Sequence, residues 1–142
     1  MSVVVMHTYI IRTGFVHRNS KDTVKRVKIR IKNCLQHNVN STEELEQLVN
    51  HELVNVFGQN LIGVGITSVF NGQTPEKKSY YIHINVLNGK SMTISASYRE
   101  VNTLQELALI EVAIQLGDEN DVLQLWDHVY PKSLLTDIKK FL

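Results

Sequence analysis

Tyr81, His83 and Asn85 recur at every second position of one stretch, and Thr93 and Ser95 repeat the pattern a little further on. A spacing of two places each set on one side of a β-strand. A phenol, an imidazole, a carboxamide and two hydroxyls on a shared face could hold an anionic or polar group through directed hydrogen bonds, and the imidazole could also move a proton. A second candidate set is cationic. In Lys25 to Lys32, KRVKIRIK, the residues Arg26, Lys28, Arg30 and Lys32 alternate with Val27, Ile29 and Ile31. Read as a strand, this segment presents its cations about 7 Å apart, the scale of phosphate spacing along a nucleic-acid strand. No aromatic residue interleaves with them to stack on bases, and an edge strand kept soluble by cations has the same pattern.

Metal and nucleophile signatures stop short. Asn50-His51-Glu52-Leu53-Val54-Asn55 is half of a zinc-protease motif whose second histidine is replaced by Asn55. Cys34 and His37 have ligand-like spacing without a second pair. Asp127 and His128 are sequence neighbours that a helix would point in different directions. Gly63-Val64-Gly65 opens a strand and not a helix, so it is no dinucleotide fingerprint. No metal site and no cofactor are expected. The one cysteine, Cys34, excludes an internal disulfide.

The elements that must position these residues follow from periodicity. Val3 to Arg12 is rich in β-branched residues and Val24 to Lys32 alternates, which predicts two strands joined across the polar stretch Gly14 to Lys21. Ser41-Thr42-Glu43-Glu44 is a capping box that opens a helix ending at Gly58. Strands are predicted over Leu61 to Phe70 and on both sides of Asn88-Gly89. Thr103-Leu104-Gln105-Glu106 opens a second, largely apolar helix that stops at Gly117. A third helix carries Val122, Leu125, Trp126 and Val129, and a fourth begins at Pro131. The expectation is an α+β fold in the order ββ-α-βββ-α-α-α, a mainly antiparallel sheet of about five strands with helices packed on one face. With 142 residues, 43% of them hydrophobic, one domain spanning 1–142 is the default.

Parity sets the register of the hairpin, because a slip of one residue turns every side chain to the other face. A three-residue loop Leu87-Asn88-Gly89, with Gly89 left-handed, pairs Ile84 with Met92, Ile82 with Ile94 and Tyr80 with Ala96. Apolar residues then gather on the core face, joined by Ile62, Val64 and Ile66. The other face collects Tyr81, His83, Asn85, Ser91, Thr93, Ser95 and Ser97, floored by Gly63 and Gly65.

The overall charge of +1 hides a division. Residues 1–32 carry +7, whereas residues 33–76 contain no Lys or Arg and carry −5. Either the two regions face each other or the basic one has an acidic partner. The element order from Ser41 onward is that of double-stranded-RNA-binding domains, but Glu43, Glu44 and Glu46 would repel RNA, and no lysine cluster opens the helix at Thr103. No run of eighteen apolar residues and no signal peptide is read in the chain, which predicts a cytoplasmic protein. The composition, rich in Asn, Ile and Lys, fits a low-GC bacterium or its phage. The functional expectation is a non-enzymatic binding protein of accessory or inhibitory type. It would sequester or occlude an anionic small molecule or protein partner through Tyr81, His83, Asn85, Thr93 and Ser95, aided by Arg26, Lys28 and Arg30. A homo-oligomer is expected, with nucleic-acid binding by the basic strand as one alternative and a small hydrolase or transferase using His83 or Cys34 as another.

Overall fold

The computed structural model describes residues 6–16, 18–37, 39–69, 78–101, 103–116 and 132–141. Its elements are β1 (Met6–Val16), α1 (Lys21–Leu35), α2 (Thr42–Phe57), β2 (Leu61–Val69), β3 (Ser79–Val86), β4 (Met92–Val101), α3 (Leu104–Leu116) and α4 (Lys132–Lys139). The fold is α+β, with a four-stranded antiparallel sheet in the order β1-β4-β3-β2. The predicted helix around Trp126 lies outside the described residues, as do the ends placed at Gly117 and Pro131.

The main correction is α1. Residues 24–32, expected as a strand, form the middle of a helix of 15 residues. Two periods compete in this segment: Val27, Ile29 and Ile31 alternate, but Val24, Val27, Ile31 and Cys34 also recur at helical spacing. The helical set is the one that packs. Val27, Ile31 and Cys34 are buried, while Ile29, which completes the alternation, is 39% exposed. The helix start was legible in Ser20, whose hydroxyl accepts a hydrogen bond from the Thr23 amide at 3.1 Å, with Asp22 favourably placed in the first turn. Among the described residues the sheet therefore has four strands and not the five expected.

The expected register of the β3–β4 hairpin matches the structure: Tyr80 opposes Ala96, Ile82 opposes Ile94 and Ile84 opposes Met92. The turn differs in detail, since Asn88 (φ 64°) as well as Gly89 (φ 70°) is left-handed. Asparagine tolerates that region better than other side-chain-bearing residues, so the pair Asn88-Gly89 shares the bend. Ile82, Ile84 and Ile94 join Val27 and Ile31 of α1 and Leu45, Val49 and Leu53 of α2 in one core, so α1 and α2 cover this face of the sheet. A bulge at the start of β2 pairs Leu61 with Val86 and Gly63 with Asn85. It ejects Ile62, which was expected in the core and is instead 65% exposed.

α2 begins at Ser41, whose hydroxyl accepts from the Glu44 amide at 3.1 Å. The reciprocal carboxylate of Glu44 accepts from the Asn40 amide and not from that of Ser41. Thr103 caps α3 by accepting from the Glu106 amide at 3.1 Å. α2 also guards the edge of the sheet: the Glu46 carboxylate accepts a hydrogen bond from the Ile66 amide of edge strand β2 at 2.8 Å. An open edge offers its amides to other chains, and this contact occupies one of them. Replacing Glu46 by Ala is expected to cost about 1–2 kcal/mol in urea unfolding, whereas Glu46→Gln, which keeps an acceptor oxygen, should lose less than half as much. Equal losses in the two variants would show that the acceptor is not what stabilises the edge.

Candidate functional site: a polar sheet face

The face turned away from α1 and α2 is built by the odd positions of β3, β4 and, from Gly63 onward, β2, and by the even positions of β1 up to Arg12. One cross-strand row runs Thr67, Tyr81, Ser95, Arg12, and the next runs Gly65, His83, Thr93. Gly63 lies beside Asn85. The structure thus brings together five of the residues singled out in the sequence: Tyr81, His83, Asn85, Thr93 and Ser95. Tyr81 is 48% exposed, and His83 and Asn85 are exposed as well. The His83 Nδ1 atom lies 3.4 Å from Thr93 Oγ1, a long contact that orients the ring against its neighbour. At Gly63 and Gly65 a Cβ would meet no atom within 4 Å, so the β2 side of the face is open. Among the described residues, no strand position on this face carries a carboxylate.

The β1 end of the face is closed. Arg12 donates through Nη2 to the Lys140 carbonyl at 2.8 Å, and the Arg99 guanidinium lies 5.2 Å from the centre of the Phe141 ring while pairing with Glu106 at 2.6 Å. Ile10, which shares the parity of this face, is buried to 5% exposure. α3, which packs against β1 and β4, and the segment after α4 therefore close this flank, and the open area is that of β2, β3 and the adjoining side of β4. Sequence reasoning did not anticipate this cover, because its contacts span more than a hundred residues.

Arg26, Lys28 and Arg30 do not belong to this surface. They were expected as one face of a strand, but they lie on α1, and three residues at a spacing of two cannot share one side of a helix. Arg26 donates to the Asn55 carbonyl at 3.2 Å, and Arg30 pairs with Glu52 at 2.9 Å, so both fasten α1 to α2. Lys28 is buried to 1% exposure and is engaged in an interaction of its own. Lys32 pairs with Glu111 of α3. The basic and acidic regions of the chain meet within the fold where Arg30 pairs with Glu52.

The pocket on the polar face sits at the hairpin end, with a volume of about 200 Å³, lined by His83, Asn85, Gly89, Ser91 and Thr93 beside Ile84 and Met92. Ser91 closes its wall: its hydroxyl accepts from the Val86 amide at 3.0 Å and donates to the Val86 carbonyl at 3.3 Å, standing in for the backbone ladder. Two other cavities lie on the helical side. One of about 440 Å³ is lined by His37, Glu44 and His51, and one of about 290 Å³ by His7, Tyr9, Lys32 and Tyr98. Among the described residues, no group of three or more His, Cys, Asp or Glu side chains is placed to hold a metal ion, and no helix is long and apolar enough to cross a membrane. Asp127 and His128 lie outside the described residues. The chain matches no protein-family model, and no curated protein or solved structure is significantly similar to it.

Two groups packed in or against the core, Cys34 and Tyr9, have strongly shifted titrations. Burial pushes the Cys34 thiol up to about 11, with Glu52 adding to the effect and Arg30 opposing it. A thiol so held is a poor nucleophile at neutral pH. Cys34 should therefore resist a thiol reagent in the folded protein and react fully in guanidinium; rapid reaction under native conditions would contradict its burial. Tyr9 is pushed up to about 12, first by burial and then by Tyr80 and Tyr98, which surround it with ring centroids at 6.3 and 5.6 Å. Its folded value lies above the unfolded one, so the associated stability is complete below about pH 10 and is lost as the pH rises towards 12. Urea midpoints measured at about pH 9 and about pH 11 should fall less in Tyr9→Phe than in the wild type. An equal fall in both proteins would remove Tyr9 as the cause.

Proposed function

We propose that the protein works by binding, docking an anionic partner on the open polar face and occluding it. One observation carries this reading: a sheet face without carboxylates exposes Tyr81, His83 and Asn85 beside Thr93 and Ser95, while the opposite face is committed to the core. Exposed sheet residues on monomeric folds are commonly of mixed charge, and a face that offers donors without any anion suits an anionic partner. The open shape and the small pocket suit a partner larger than the pocket, since whole small ligands occupy sites of roughly 300–1,000 Å³. The expected form of action is non-catalytic sequestration.

Nucleic-acid binding through residues 25–32 loses its geometric basis, because the segment is a helix and its Arg26, Arg30 and Lys32 fasten that helix to its neighbours. The test is a heteronuclear NMR titration with a short heparin oligosaccharide as a defined polyanion. Amide shifts should concentrate at Thr67, Tyr81, His83, Asn85, Thr93 and Ser95 and should collapse when salt is raised. Shifts centred on α1 and α2, at Arg26, Arg30, His37 or His51, would overturn the reading.

A further inference from the structure

The pocket at the hairpin end has a neighbour that periodicity alone does not reveal. The segment between β1 and α1 folds over the turn: Asn19 donates through Nδ2 to the Lys90 carbonyl at 2.8 Å, and the Arg18 guanidinium reaches Gly89, where a Cβ would lie 3.8 Å from Arg18 Nη1. Gly89 is itself a wall of the pocket. Arg18 adopts φ 57°, a left-handed conformation disfavoured for a residue with a side chain. Among the described residues no carboxylate pairs with the side chain of Arg18 or of Lys90. The fold thus holds an arginine in a costly backbone conformation beside a cavity lined by hydrogen-bonding side chains, and such outliers cluster at ligand sites.

We propose that this pocket is a subsite for a phosphoryl group. Arg18, beside the lining residue Gly89, and Lys90, which stands in the chain between the lining residues Gly89 and Ser91, would supply the positive charge, and His83, Asn85 and Thr93 the directed hydrogen bonds from the wall. A tetrahedral dianion fits this arrangement better than a planar carboxylate, because the donors come from three separate chain segments around a bowl and do not form one planar fork. The volume of about 200 Å³ seats the phosphoryl group but not a whole nucleotide. The rest of an ester would lie outward over Gly63 and Gly65, where the floor carries no side chains.

This inference rests on reading the polar face as an anion-binding surface, and the experiment separates the two. Calorimetric titration with inorganic phosphate and, separately, with adenosine monophosphate is compared across wild type, Arg18→Gly, Lys90→Ala and the distant control Arg26→Ala. Arg18→Gly and Lys90→Ala should each weaken phosphate binding about tenfold, the equivalent of one lost charge-assisted hydrogen bond, and Arg26→Ala should leave it unchanged. Arg18→Gly should at the same time raise the melting temperature, because glycine relieves the left-handed backbone. That opposite movement of stability and binding separates loss of the site from loss of the fold. Tighter binding of the monophosphate would identify an ester as the source of the group, and equal binding would identify phosphate itself. Absence of wild-type binding at about 10 mM, or binding unchanged in both pocket variants, would overturn the subsite. Heparin shifts on the polar face without phosphate binding would remove the subsite and keep the surface.

Discussion

Ile82 and Ile94 oppose each other at the centre of the sheet, both fully buried, and the pairing of β3 with β4 around them decides what every other side chain can do. With a period of two, this contact turns Tyr80, Ile84, Met92 and Ala96 towards α1 and α2 and leaves Tyr81, His83, Thr93 and Ser95 on the other side. Slipping the pair by one residue would bury an imidazole and two hydroxyls under the helices and expose the isoleucines, at a cost of several kcal/mol for each buried apolar chain lost and each polar group left unpaired. The composition of the polar face thus follows from the core.

The turn and its closure enforce the same register. Asn88 and Gly89 share the left-handed bend, and Ser91 substitutes its hydroxyl for the ladder at Val86. The same turn receives Asn19 and Arg18 from the segment before α1, so the end of the sheet is a junction of two connections. Charge is divided between layers. Arg26, Arg30 and Lys32 of α1 engage α2 and α3 through Asn55, Glu52 and Glu111, whereas Arg12 and Arg99 lie on the polar side of the sheet and Arg18 beside its turn. Arg12 and Arg99 hold the segment after α4, whereas Arg18 lies beside Gly89 of the pocket wall.

Much of this was legible where a local signal and a tertiary demand agreed. The boundaries of α2, the β3–β4 register and the membership of the polar face all followed from caps, turn residues and alternation. The reading failed at Val24 to Lys32 because the segment satisfies two periods at once, and only packing decides between Ile29, left out, and Val27 with Ile31, taken in. Lys28 is misplaced by polarity in either reading, since a lysine on the core side of a helix gives no sign of its burial in the sequence. Ile62 failed for a different reason: a bulge beside Gly63 shifts parity by one, and although glycines within a strand signal such a bend, they do not fix where the extra residue falls. The contacts of Arg12 and Arg99 with residues 140 and 141 and the approach of Arg18 to Gly89 depend on distant segments meeting and had no sequence signal.

The central claim is that the open sheet face is the working surface and that the cationic helix α1 is structural. Blocking each surface in turn tests it most directly. In a Cys34→Ala background, a single cysteine at Thr93 or at Lys25 is coupled to a bulky maleimide polymer, and affinity for the heparin oligosaccharide is measured by fluorescence anisotropy. The account predicts that modification at position 93 abolishes binding while modification at position 25 leaves it unchanged. Binding that survives at position 93 and is lost at position 25 would contradict it.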